Sequence, residues 1–138
     1  MADTYSKEVR SYTMSRIRSV NTKPEITVRK FLFSKGLRYR IHDKKLPGKP
    51  DIVLPKFKTI ILVHGCFWHG HEGCKKFVIP KSNTAYWSNK IERNKVRDTK
   101  NAAELSKLGW RIYTIFECQL KNSLNATLAE MLKYIQKK

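Results

Sequence analysis

Between residues 64 and 74 the chain gathers three of its four histidines and two of its three cysteines: His64, Cys66, His69, His71 and Cys74. A packed core would scatter such residues. Cys66-x4-His71-x2-Cys74 supplies three soft or borderline ligands, and the distant Cys118 can complete a tetrahedral Cys3His zinc site. Four protein ligands leave no open position, so such a metal would be structural. The competing reading, reduced thiols inside a core, suits Cys118 best and the glycine-flanked Cys66 and Cys74 poorly. An acidic centre is the second candidate. Asp51 follows Pro-Gly-Lys-Pro at the start of a short apolar run, where it can hold a hard cation such as Mg2+ near His64 or close an Asx turn after the proline. Spacing alone weighs the two equally.

A third group is aromatic. Phe67 and Trp68 sit in a polar, histidine-rich stretch, and Trp87 opens the next helical pattern. Aromatic side chains beside a basic surface can stack on bases or wedge between base steps; the alternative is a small apolar cover over the metal site. Trp110 reads as core, and His42 as a surface residue without a role.

Several elements must position these groups. Thr22-Lys23-Pro24-Glu25 matches a capping box with Pro in the first turn, and Gly36 is a plausible stop, so a helix is predicted between them with Ile26, Val28, Phe31 and Leu32 toward the core. Residues 5–18 form a weak helix or arm. Leu37 to His42 alternates apolar and polar as a half-buried strand does. A second strand begins at Asp51, and Thr59 to Val63 suits a strand buried on both faces. The long connection 64–82 should be functional or metal-held. A helix is predicted from Thr84 to Gly109, with Trp87, Ile91, Ala102, Leu105 and Leu108 on its apolar side and a charged middle, Glu92 to Lys100, facing solvent or phosphate. Trp110 to Phe116 is another central strand, ending just before Glu117 and Cys118. Leu124, Leu128, Met131, Leu132 and Ile135 mark a C-terminal helix. The order α, β, β, β, α, β, α predicts an α/β fold, a central mixed sheet flanked by helices, with chemistry at strand ends.

Composition bounds the partner. In 138 residues there are 29 Lys and Arg against 11 Asp and Glu, a net charge of +18. Residues 1–50 carry 13 basic and 4 acidic side chains, and residues 51–138 carry 16 and 7, so the excess is spread through the folded body. That balance fits a polyanion, nucleic acid first. No segment pairs a basic face with a strongly apolar one, which argues against a membrane surface. No apolar run reaches the roughly 18 residues of a membrane span, and the beginning lacks a signal-peptide pattern, so a cytoplasmic protein is expected. The length predicts one domain, 1–138, with residues 1–20 as its arm.

Leu46-Pro47-Gly48-Lys49-Pro50-Asp51, His64-Gly65-Cys66-Phe67-Trp68-His69, Trp87, Leu108-Gly109-Trp110-Arg111 and Glu117-Cys118 together resemble the very-short-patch-repair (Vsr) DNA mismatch endonucleases, in order and over nearly the whole chain. The resemblance implies a restriction-endonuclease-like fold with a structural zinc site, and an enzyme that nicks one DNA strand beside a T·G mismatch left by deamination of 5-methylcytosine. It implies that Asp51 and the backbone carbonyl of Val63 bind Mg2+, that His69 is the general base, that His64 assists at the scissile phosphate, and that Glu25 reaches metal-bound water. Cys66, His71, Cys74 and Cys118 would hold Zn2+, although the spacing leaves His69 and His71 able to exchange roles. Phe67, Trp68 and Trp87 would wedge into the duplex, Met14 would insert from the arm, and Lys49 would contact DNA. Implied partners are double-stranded DNA carrying the mismatch, a functionally linked cytosine-5 DNA methyltransferase and mismatch-repair proteins, met in the bacterial cytoplasm at the nucleoid. A monomer is expected, because one asymmetric lesion has no two-fold axis. A non-catalytic, zinc-stabilised nucleic-acid-binding module and a nuclease indifferent to mismatches are the alternatives.

Overall fold

A computed structural model describes residues 22–66, 69–71, 74, 79 and 81–137. Phe67, Trp68, Met14 and the predicted arm lie outside the described residues.

Helix α1 spans Lys23–Ser34. Thr22 caps it, its hydroxyl accepting the Glu25 backbone N–H at 3.4 Å, with Pro24 in the first turn. The core-facing stripe runs Glu25, Val28, Leu32, not through Ile26, which is 37% exposed. The capping-box carboxylate of Glu25 therefore faces the core, where it is 1% exposed.

Strands β1 (Arg40–Ile41), β2 (Ile52–Leu54), β3 (Thr59–His64) and β4 (Arg111–Phe116) form one four-stranded sheet in that order. β1–β2 and β2–β3 are antiparallel, while β3–β4 is parallel, pairing Thr59 with Arg111 through to His64 with Phe116. The predicted strand 37–42 shrinks to two exposed residues. Leu37 and Tyr39 do pack against the core, but His42 turns left-handed, φ +46°, and ends the ladder. Its N–H nevertheless donates to the Asp51 carbonyl at 3.3 Å.

The parallel pair requires a crossover, which runs through the histidine-rich loop and helix α2 (Thr84–Lys107). Gly109, φ +91°, turns the chain from α2 toward β4; Leu108, expected on the apolar side, is left 54% exposed. β4 leads directly into a short helix α3 (Glu117–Asn122), which the sequence pattern did not announce, then α4 (Leu124–Gln136). Leu128, Met131 and Ile135 of α4 are buried, whereas Leu124 is 41% exposed.

Pleat alternation splits the core. Ile52, Leu54, Ile61, Val63 and Ile115 face α1, α3 and α4 through Val28, Leu32, Leu120, Leu128 and Met131. Val53 and Ile60 face α2 through Leu105, joined by Leu46, Leu62, Trp110 and Ile112. The sheet is thus a layer between helices, and the C-terminal ends of β3 and β4 open on one edge. Among the described residues no helix is long and apolar enough to cross a membrane.

Arg111 locks the opposite edge. Its guanidinium donates to the carbonyls of Tyr134 (3.1 Å), Ile135 (3.0 Å), Lys137 (2.7 Å) and Phe57 (3.2 Å). A cation on the orphan carbonyls of a helix C-terminus satisfies acceptors and the helix dipole together. Arg111→Ala is expected to destabilise the fold by about 1–3 kcal/mol, read as a lower urea midpoint; an unchanged midpoint would show that water replaces the guanidinium at no cost.

Candidate active site and metal centre

The site is built at the C-terminal ends of β3 and β4, where the parallel register brings His64 beside Phe116. Beyond His64, His69 N–H donates to Gly65 carbonyl at 3.1 Å, His71 N–H to Cys66 carbonyl at 2.9 Å, and Cys74 N–H to His71 carbonyl at 3.2 Å. Gly70 lets this loop press onto α2. Its φ is +58°, and an added Cβ would sit 2.8 Å from the Ile91 side chain and against Lys95. The segment therefore presents His69 and His71 on either side of a pinned glycine.

One side is a thiol cluster. Ligand atoms of Cys66, His71, Cys74 and Cys118 all lie within 4.8 Å of one another. Cys66 is fully buried and its N–H donates to Glu117 at 3.3 Å; Cys118 comes from the first turn of α3 and lies 3.4 Å from His71 Nδ1. The His71 ring stacks on Phe116 at 3.8 Å. Burial, with the neighbouring thiols of Cys118 and Cys74, pushes the Cys66 thiol up to about 12. Three sulfurs and an imidazole nitrogen converging around the buried Cys66 are a donor set that fits a tetrahedral soft-metal ion, zinc above all.

The other side holds two acid–imidazole clusters. His69 Nδ1 lies 2.6 Å from Asp98 Oδ2 of α2. A carboxylate can only accept, so Nδ1 carries the hydrogen and the Nε2 lone pair is free to take a proton. The His64 ring stacks parallel on His69, centroids 3.7 Å apart, with Phe116 edge-on at 5.6 Å. Burial, reinforced by His69, depresses His64 to about 4, so it is neutral at pH 7.

Glu25, His42 and Asp51 make the second cluster, their ligand atoms within 4.8 Å of one another. Asp51 Oδ2 accepts the Val63 N–H at 2.9 Å, which ties the carboxylate to β3. His42 Nε2 lies 3.0 Å from Glu25 Oε2. Burial raises the Asp51 carboxyl to about 6, against the Val63 hydrogen bond, and Glu25 adds to the rise. Two carboxylates this close, one raised chiefly by burial, suit a hard divalent cation.

The expected residues thus fall into separate groups. His71 is with the cysteines, His64 and His69 are together, and Glu25 and Asp51 share a cluster. Trp87 lies apart in the first turn of α2, half-buried and edge-on to Tyr86 at 5.1 Å; Lys49 is exposed in the turn before Asp51, φ +47°. Sequence reasoning missed Asp98 and treated His42 as idle. Asp98 carried a signal: Ile91, Asp98 and Leu105 recur every seventh residue, which places the acid on the buried stripe of α2.

A mixed sheet between helices, with acid–imidazole clusters at the strand ends, is consistent with an α/β nuclease. The family model described as DNA mismatch endonuclease Vsr matches residues 2–76, and the chain belongs to that family. It is 53% identical over 122 residues to the type II nicking enzyme V.NmeAIP of Neisseria meningitidis, covering 88% of this chain and 86% of that protein. Identity to the type II nicking enzyme V.XorIIP of Xanthomonas oryzae is 48% over 134 residues, 96% and 98% of the two chains. Identity to the DNA mismatch endonuclease Vsr of Escherichia coli K12 is 39% over 121 residues, 88% and 77% of the two.

Proposed function

We propose that this chain is a Mg2+-dependent DNA endonuclease that nicks one strand beside a T·G mismatch, with His69 as general base. The observation that carries the reading is the juxtaposition at one sheet edge of a carboxylate pair, Asp51 and Glu25, with an imidazole, His69, whose Nδ1 is held by Asp98. Phosphodiester hydrolysis needs a positioned water, a proton acceptor and a cation to offset charge on phosphorus oxygens. Asp51, the Val63 carbonyl and Glu25 would hold Mg2+, which would supply that charge. His69 Nε2 takes the proton of the attacking water as its oxygen bonds phosphorus and the bond to the leaving sugar oxygen breaks. Neutral His64, stacked on the base, hydrogen-bonds the scissile phosphate and keeps a second positive charge away from His69.

The basic composition supplies non-specific affinity for the duplex. A groove of about 370 Å³ on the outer side of α2, lined by Tyr86, Asn89, Lys90, Arg93, Asn94 and Arg97, offers cations and an aromatic ring to it. Trp87 stands beside this groove, and with Phe67 and Trp68 it is assigned the wedge that selects a weakly paired step, with Met14 and Lys49 as further contacts. In this reading the four-ligand cluster holds structural zinc. Replacing one ligand by Cys118→Ser is expected to lower bound zinc, measured by elemental analysis, from one ion per chain to well under half; full zinc retention would remove Cys118 from the ligand set. A cytosine-5 DNA methyltransferase and mismatch-repair proteins are the functional partners of such an activity, and a monomer suffices for it.

The test is nicking of a duplex with one T·G pair beside its T·A control, in Mg2+ and in EDTA. Mg2+-dependent nicking of the T·G duplex alone is expected. Cleavage of neither would leave a zinc-stabilised binding module, and equal cleavage of both a general nuclease.

A further inference from the structure

His42 has a peculiar place. Its backbone is left-handed, φ +46°, a conformation a β-carbon resists. Two contacts hold it there: the N–H reaches the Asp51 carbonyl at 3.3 Å, and Nε2 reaches Glu25 Oε2 at 3.0 Å. Glu25 belongs to α1 and Asp51 immediately precedes β2, so His42 is a bolt between the two segments that carry the carboxylates. Its side chain is 18% exposed and that of Glu25 2%, so water competes weakly for the bond. Because the carboxylate accepts, Nε2 bears the hydrogen, and the donated bond holds Glu25 Oε2 in a fixed direction beside Asp51.

We infer that His42 is a positioning residue for divalent-cation binding: it orients Glu25 against Asp51 so that both carboxylates meet the ion with little rearrangement. Partners that orient metal-binding side chains commonly contribute a factor of about 10–100 in metal affinity. The inference rests on the Mg2+ reading of this cluster. It is independent of which base pair the enzyme selects.

The test compares wild type with His42→Gln, His42→Asn and His42→Phe. Gln keeps a donor of sufficient reach. Asn tolerates left-handed backbone but is too short, and Phe keeps ring volume without a donor. Mg2+ binding is measured by calorimetry without DNA, and the Mg2+ concentration for half-maximal nicking is measured separately. His42→Asn and His42→Phe are expected to weaken both about 10-fold or more, with most of the nicking rate recovered at saturating Mg2+, while His42→Gln stays within about threefold of wild type. In a Glu25→Gln background the His42 changes should add little, since the residue acts through Glu25. The phenylalanine variant reads the same quantity should His42→Asn not fold. Isotherms of His42→Asn or His42→Phe that overlay wild type, or an undiminished penalty in the Glu25→Gln background, would overturn the inference alone. A wild type that binds no Mg2+ would overturn the site reading and this inference with it.

Discussion

Asp51→Asn is expected to lower the nicking rate by about 1,000-fold or more, to leave duplex binding within a few-fold, and to make the metal-free protein more stable. A metal ion aligned with the reacting phosphate contributes several kcal/mol to the barrier, which sets the rate effect. The stability effect follows from burial. Asp51 is raised from 3.8 to about 6 chiefly by desolvation, so the folded chain disfavours the ionised carboxyl more than the unfolded chain does. The penalty grows as pH rises through 4 to 6 and is complete above about 6, the reverse of a salt-bridged aspartate. Asn can still accept the Val63 N–H without the charge. At pH 8 in EDTA the variant should therefore be more stable by about 1–2 kcal/mol, and at pH 4 the two proteins should melt together. Loss of stability at pH 8 would mean that the charged carboxylate is held by compensating groups, and normal nicking would remove Asp51 from the metal site.

His69→Ala should cost about 100- to 10,000-fold in single-turnover nicking with DNA binding preserved, the range assigned to a positioned general base. Asp98 sharpens the test. As a carboxylate it keeps the hydrogen on Nδ1. An amide there can instead donate to Nδ1, moving the ring hydrogen to Nε2, the atom that must accept. Asp98→Asn is thus expected to be at least as damaging as Asp98→Ala, although it is closer in shape. A His69→Ala enzyme retaining more than about a tenth of the rate would assign proton transfer to another group; an Asp98→Asn enzyme faster than Asp98→Ala would mean the tautomer does not limit the step.

Sequence reading went furthest where a physical period or a rare residue type was at stake. Thr59–His64 and Arg111–Phe116 follow from their β-branched, apolar runs, because a strand covered on both faces has no polar side to show. The cysteines and loop histidines stood out by crowding. What failed depended on small rotations and on backbone that departs from a regular period. The stripe of α1 passes through Glu25 instead of Ile26, one helical position away, and that shift carries a carboxylate into the interior. Helix α3 is a single short segment after β4, too brief for periodicity to register. His42 looked idle because its contact exists only once the chain turns left-handed. Asp98 was hidden in a charged run whose inward member only the seven-residue spacing from Ile91 and Leu105 reveals.

Gly70 separates two imidazoles that face different chemistries, and its close fit against Ile91 fixes the phase of the loop. A single-residue insertion or deletion between His64 and His71 would send a histidine toward the wrong pocket and spoil both centres at once. The length of this segment is therefore as much a part of both centres as its histidines and Cys66, and anyone transplanting the nuclease onto a new scaffold should carry the span from His64 to His71 across as one piece.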